Sequence, residues 1–150
     1  MFDIKFASVT LDMKDLFFDR QAVKDYIGKT TARVFRWAGG YIRVTAKNSI
    51  KTEKNPFRRS HKGNPPYSRT GKLKQRILYY YDRADQDVIV GPMLFRSGDI
   101  PGVLEYGGPS TIWKKGKGMV PIMVKERPYM RPALEKGIEK LPDFWAQAIR

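Results

Sequence analysis

The sequence predicts an α+β fold: a small antiparallel sheet packed by a long helix in the N-terminal half and an amphipathic C-terminal helix. Three observations carry the prediction. Residues 12–50 contain no proline, and apolar side chains recur there at helical spacing, at Val23, Ile27, Val34, Ala38 and then Tyr41 or Ile42. Residues 76–81 and 86–90 are rich in Tyr, Val and Ile, with Asp82-Arg83-Ala84-Asp85 as the turn between two strands. Near the C-terminus Leu134, Ile138, Leu141, Trp145 and Ile149 fall at steps of 4, 3, 4 and 4, the stripe of an amphipathic helix.

Taken in order, Phe2, Ile4 and Phe6 alternate with Asp3 and Lys5 as in a short half-buried strand, and Thr10 or Asp12 can cap the helix that follows. Gly28 is a place for that helix to break in two. Gly39-Gly40 would each cost about 1 kcal/mol relative to alanine, which predicts close approach of another backbone there. Phe35, Trp37 and Tyr41 are expected in the core. Residues 51–70 read as a long basic loop.

The loop ends in Gly63-Asn64-Pro65-Pro66, which cannot sit inside a helix, and in Thr70-Gly71, where glycine is free to take positive φ. Leu73 and Ile77 then stand four apart among Lys72, Lys74 and Arg76. Gly91-Pro92 is expected to end the second strand. Residues 101–108 form a short apolar segment closed by Gly107-Gly108, and residues 111–118 have the composition of a basic loop tip. Residues 120–124 suit an edge strand, since Pro121 lacks an N–H. The last helix opens within residues 128–132, and Pro142 is expected to kink or restart it near Leu141.

A chain of 150 residues is long enough for one domain, 1–150, with a proper core. The first residues do not have the basic start and apolar block of a signal peptide, and no stretch approaches the roughly 18–20 apolar residues of a membrane span. Cysteine is absent, which excludes disulfides and thiolate metal sites. Charge is the dominant feature: Lys+Arg 29 against Asp+Glu 15 gives +14. Ten of those cations lie between Lys47 and Arg76, with Glu53 as the sole acidic residue among them. Such a block attracts polyanions by counterion release, or it is a solvated loop held extended by its own charge.

Catalytic patterns are weak. His61, the single histidine, has no carboxylate near it in sequence. Asp82, Asp85 and Asp87 lack the glycine and closing glutamate of a calcium loop, and turn chemistry accounts for them better. No phosphate-binding glycine loop, nucleophile elbow or HExxH occurs. The expectation is therefore a protein that is not an enzyme and takes no cofactor or metal. Basic residues interleave with Phe57, Tyr67, Tyr79, Tyr80, Tyr81 and Trp113, which suits non-specific nucleic-acid contact, but no sequence-reading motif is present.

The order of short motifs adds to this. Arg36-Trp37-Ala38-Gly39-Gly40-Tyr41-Ile42 leads to Pro65-Pro66-Tyr67-Ser68-Arg69-Thr70-Gly71-Lys72-Leu73-Lys74. Then come Val88-Ile89-Val90-Gly91-Pro92, Val103-Leu104-Glu105-Tyr106-Gly107-Gly108 and Arg127-Pro128-Tyr129-Met130-Arg131-Pro132-Ala133-Leu134. Over residues 30–140 this ordered set resembles the neck or tail-completion proteins of long-tailed bacteriophages and prophages. The chain departs from their pattern at Gln75-Arg76-Ile77, where Ser-Ile is usual, and at Gly107-Gly108, where Gly-Thr is common.

The resemblance implies a structural virion protein, assembled in the host bacterial cytoplasm into a ring, hexameric or dodecameric, at the head–tail junction. Its partners would be other connector and tail proteins, with genomic DNA crossing the lumen and no membrane. Contact residues implied in this way are Pro66, Tyr67, Thr70, Gly71, Leu73, Glu105, Tyr106, Gly107, Arg131 and Pro132. For at least half of them a role in the fold itself is the expectation. DNA-facing residues would be Lys51, Lys54, Arg58, Arg59, Lys62, Arg69, Lys72 and Lys74. The alternative is a small basic protein that binds nucleic acid non-specifically.

Overall fold

The computed structural model describes residues 19–55, 57–96 and 98–149. The strand expected around Phe2, Ile4 and Phe6, and the caps Thr10 and Asp12, lie outside the described residues. The fold is α+β. Its elements are α1 (Arg20–Ser49), α2 (Lys72–Gln75), β1 (Ile77–Asp82), β2 (Asp87–Pro92), α3 (Ile100–Tyr106), β3 (Gly108–Lys114), β4 (Gly118–Val124) and α4 (Arg131–Ala148). The strands form two separate antiparallel hairpins, β1–β2 and β3–β4, rather than one sheet.

Asp19 starts α1 by accepting hydrogen bonds from the amides of Gln21 (3.0 Å) and Ala22 (2.9 Å), as a side-chain N-cap does. The helix then runs unbroken through Gly28. Local propensity makes Gly28 a candidate break, but a penalty of about 1 kcal/mol is small beside the burial along the rest of the helix. The buried stripe is Thr30, Val34, Ala38, Gly39, Ile42 and Ala46. Val23 and Ile27, expected on that stripe, are exposed. Phe35, Trp37 and Tyr41 are also not core residues: Phe35 and Tyr41 are half-buried and Trp37 is 40% exposed. Phe35 and Tyr41 instead bridge outward, to Tyr81 (ring centroids 6.4 Å apart) and Phe144 (5.9 Å).

The C-terminal helix α4 packs along α1, and the Tyr26 hydroxyl reaches the Ile149 carbonyl at 3.4 Å. Its buried residues are Ala133, Gly137 and Ala148. Leu134, Ile138 and Ile149 of the expected stripe point outward, at 49%, 55% and 61% exposure. The two helices meet through small residues: a Cβ added at Gly137 would overlap the Ile42 side chain. Pro142 lies within α4 without a restart. The core gathers Ile42, Ala46, Ile50, Leu73, Ile77, Tyr129 and Ala133, with Val90, Phe95, Leu104 and Met130 packed on it.

The two adjacent glycines of α1 differ. A Cβ at Gly39 would stand 2.7 Å from Val88 Cγ2 and 2.8 Å from the Tyr79 ring, so the close approach is by side chains of the β1–β2 hairpin and not by backbone. Nothing lies within 4 Å of a Cβ at Gly40. Gly40→Ala should therefore raise stability by about 0.5–1 kcal/mol, and Gly39→Ala should lower it by about 1–3 kcal/mol. Urea denaturation of the two variants checks this, and equal shifts would refute it.

Three other expectations change in detail. Residues 101–106 belong to a short helix, started by Asp99 accepting from the Gly102 amide at 2.9 Å and ended by Gly107 at φ 75°. Residues 111–114 continue β3, so the basic loop tip is confined to the turn around Gly116. The second strand includes Gly91 and Pro92 instead of ending before them.

Candidate assembly and nucleic-acid-facing surfaces

Two of the sequence motifs fold onto each other through Glu105. Its carboxylate is buried and accepts three backbone amides, from Tyr129 (2.9 Å), Met130 (3.0 Å) and Arg131 (2.8 Å). These amides lie at the start of α4, whose N-cap residue, Met130, contributes no side-chain cap. Glu105 supplies from α3 both the missing acceptors and the negative charge that a helix N-terminus favours. Arg127 N–H donates to the Leu104 carbonyl at 2.7 Å, and Arg127 Nε donates to the Ser60 carbonyl at 3.3 Å. Gly107 must stay side-chain-free, because a Cβ there would lie 3.1 Å from the Val124 carbonyl and the Glu126 amide.

Half of the expected contact residues are accounted for by this framework. Leu73 and Pro66 are buried, Leu73 within the core cluster. Gly71 takes φ 72° to start α2, and Glu105 and Gly107 brace α4 and α3 as described. The more open members are Thr70, Tyr106 and Arg131, with Tyr67 and Pro132 half-buried. The Arg131 guanidinium lies 5.7 Å from the centre of the Tyr106 ring, which is 70% exposed.

Close by, Tyr129 is buried, and its hydroxyl has no hydrogen-bond partner among the described residues. Burial, then the charges of Glu105 and Asp99, raise its pKa above the ordinary tyrosine value. A pKa higher in the folded than in the unfolded chain gives stability that is complete below about pH 10 and lost as pH rises above it. Tyr129→Phe removes an unsatisfied buried hydroxyl, so it should raise stability by about 1 kcal/mol at neutral pH. It should also make the alkaline decline shallower, as read by thermal melts between pH 7 and 11. A loss of stability at pH 7 would show that the hydroxyl is satisfied.

The basic loop is more ordered than its composition suggests. Thr52 and Ser68 form an isolated parallel bridge, Ser68 N–H donates to the Lys51 carbonyl at 2.9 Å, and Ser60, Pro66 and Ser68 are buried. The expected DNA-facing side chains Lys51, Lys54, Arg58, Arg59, Lys62, Arg69 and Lys72 are exposed, and Lys74 is half-buried. Arg58 is paired with Glu53 at 3.2 Å and Lys62 with Glu126 at 3.6 Å, which takes two of them partly out of play. Such exposed pairs are worth little to stability.

The β3–β4 hairpin presents a surface that sequence reasoning missed. In its register Trp113 pairs with Met119, Thr111 with Pro121 and Pro109 with Met123. Partners and second neighbours share one face of a hairpin, so these six residues line one side. That side is exposed throughout: Trp113 at 68%, Met119 at 65% and Met123 at 76%. The opposite face carries the half-buried Ser110, Val120, Ile122 and Val124. Periodicity gives no signal for it, because residues 119–123 are apolar at every position and residues 109–113 (Pro, Ser, Thr, Ile, Trp) do not alternate.

A second missed feature is a cleft of about 720 Å³ between α1 and the turn of the β1–β2 hairpin, with Lys29, Arg33, Arg36 and Arg83 on its walls. Among the described residues no His/Cys/Asp/Glu group could hold a metal ion, and no helix is long and apolar enough to cross a membrane. No family model matches the chain, and neither curated proteins nor solved structures give a match to it.

Proposed function

We propose that the protein is a structural subunit of a phage head–tail connector, a neck or tail-completion protein. It assembles as a hexameric or dodecameric ring that joins tail to head around the DNA passage. The observation that carries this reading is the exposed apolar face of the β3–β4 hairpin. Two strands with both edges open and a bare Trp–Met face are marginal in water and are completed by a neighbour. The outward Leu134, Ile138 and Ile149 of α4 add further apolar surface of the same kind. The ordered motifs support the reading too, since Leu104-Glu105 and Tyr129-Met130-Arg131 brace one another and set the frame from which the hairpin leaves α3.

The test is a stop codon in the gene of the parent phage or prophage, with the lysate viewed by negative-stain electron microscopy. Filled heads and separate tails, rescued by supplying the protein in trans, are the expected result. Normal joined particles would overturn the reading. The net charge of +14 favours one other reading, a small basic nucleic-acid-binding protein. A monomeric mass, steeply salt-dependent affinity for duplex DNA and normal particles without the gene would together select it.

A further inference from the structure

We infer that the cleft between α1 and the β1–β2 turn is a binding site for the phosphodiester backbone of DNA. The inference takes duplex DNA as the polyanion from the connector reading, while the anion site itself stands on the cleft. Lys29, Arg33 and Arg36 are spaced i, i+4 and i+7, so one face of α1 carries three cations in a row. Arg83, from the hairpin turn, faces them across the cleft. Like charges one helical turn apart destabilise a helix unless an anion covers them.

Nothing in the protein does so among the described residues. The ion pairs there are Arg58–Glu53, Lys62–Glu126 and Lys140–Asp143, none of which includes a cleft cation. Of the acidic residues near in sequence, Asp25 accepts from Gln21 Nε2 and Asp82 accepts from the Ala84 amide in its own turn, while Asp85 and Asp87 of the same turn form no ion pair with a cleft cation. The cleft also has aromatic walls, Trp37 and Tyr81. Arg36 lies over the Tyr81 ring at 5.5 Å, and Phe35 tilts against the same ring. The guanidinium thus stands beside the ring, and its N–H groups have no protein acceptor among the described residues. Four cations around one open groove suit an extended phosphate backbone better than a small anion.

The contrast with the loop at residues 51–74 decides between two basic surfaces. There, two of the cations already have carboxylate partners, whereas the cleft cations converge on one space from two elements. The cleft is thus the principal DNA contact, and the loop is secondary.

The experiment is the salt dependence of affinity for a fluorescently labelled duplex of mixed sequence, measured by anisotropy on the full chain. Arg33→Gln/Arg36→Gln/Arg83→Gln should weaken binding at least tenfold at about 100 mM salt. It should also reduce the slope of log affinity against log salt by about 2–3, near 0.9 for each phosphate no longer neutralised. Arg58→Gln/Arg59→Gln/Lys62→Gln should change that slope by less than about 1. Arg83→Gln alone, on an exposed turn, gives a smaller loss of the same kind if the triple variant folds poorly. An unchanged slope in the cleft variants overturns the site. So does preferential capture of oligoglutamate at the cleft, which would make it a dock for an acidic protein surface. Failure here leaves the electron-microscopy result for the knockout untouched, so the two readings fall separately.

Discussion

Glu105→Ala should destabilise the protein by about 4 kcal/mol, a large loss for a single substitution. Glu105 is 6% exposed, and its carboxylate accepts hydrogen bonds from the amides of Tyr129, Met130 and Arg131. Hydrogen bonds to a charged group are each worth about 1.5–3 kcal/mol net, and the cost of burying the carboxylate offsets part of their sum. Without it, three helix-start donors have no acceptor, and the first turn of α4 has no acidic residue of its own to replace the lost charge.

Because a domain of this size is stable by only about 5–15 kcal/mol, the variant should melt some 12–16 °C lower. Glu105→Gln keeps one acceptor oxygen but turns an NH2 group toward the amides, so about half of the loss should remain. Glu135→Ala, at an exposed site of the same helix, should shift stability by no more than about 0.5 kcal/mol. Thermal and urea unfolding of the three variants measures the series. Equal effects at Glu105 and Glu135 would show that the carboxylate does not brace α4.

The same glutamate shows what was legible in the sequence and what was not. Leu104-Glu105-Tyr106-Gly107 and Tyr129-Met130-Arg131 stand out as motifs, but nothing in their spacing says that one caps the other across 24 residues. Local patterns were legible where one element decides them: the presence of the long helix, of two strands joined by the turn at residues 82–85 and of α4, though not the unbroken runs through Gly28 and Pro142. The facing of α4 was not. Its large apolar residues Leu134, Ile138 and Ile149 define the stripe that periodicity finds, yet the helix is buried through Ala133, Gly137 and Ala148. Close helix packing against Ile42 selects small residues, and a periodicity weighted by hydrophobicity reads the wrong face.

The charged surfaces follow the same logic. Residues 47–76 draw attention because their cations are adjacent in sequence. Lys29, Arg33 and Arg36 join Arg83 only when the β1–β2 hairpin packs on α1, with Tyr81 between Phe35 and Arg36. Gly39 makes that packing feasible, since Val88 and Tyr79 occupy the space a side chain would fill.

Assembly is where the β3–β4 hairpin should matter most. Trp113→Asp/Met123→Asp should leave the subunit as stable as the parent, because both side chains are mostly exposed in the isolated chain, at 68% and 76%. The same pair should lower assembly by at least about 30-fold: a buried tryptophan anchor contributes about 2 kcal/mol or more to an interface, and each 1.4 kcal/mol is tenfold. The readout is rescue of the knockout phage by plasmid-borne protein, scored as plaque titre, beside a thermal melt of the purified variant. Lys115→Gln, at the hairpin turn and off the apolar face, is the matched control and should rescue normally. The pairing of readouts separates two causes, since a lower melting temperature would trace lost rescue to the fold and an unchanged one to the interface. Full rescue by the double variant would remove the hairpin face from the assembly and leave the outward face of α4 as the remaining apolar contact.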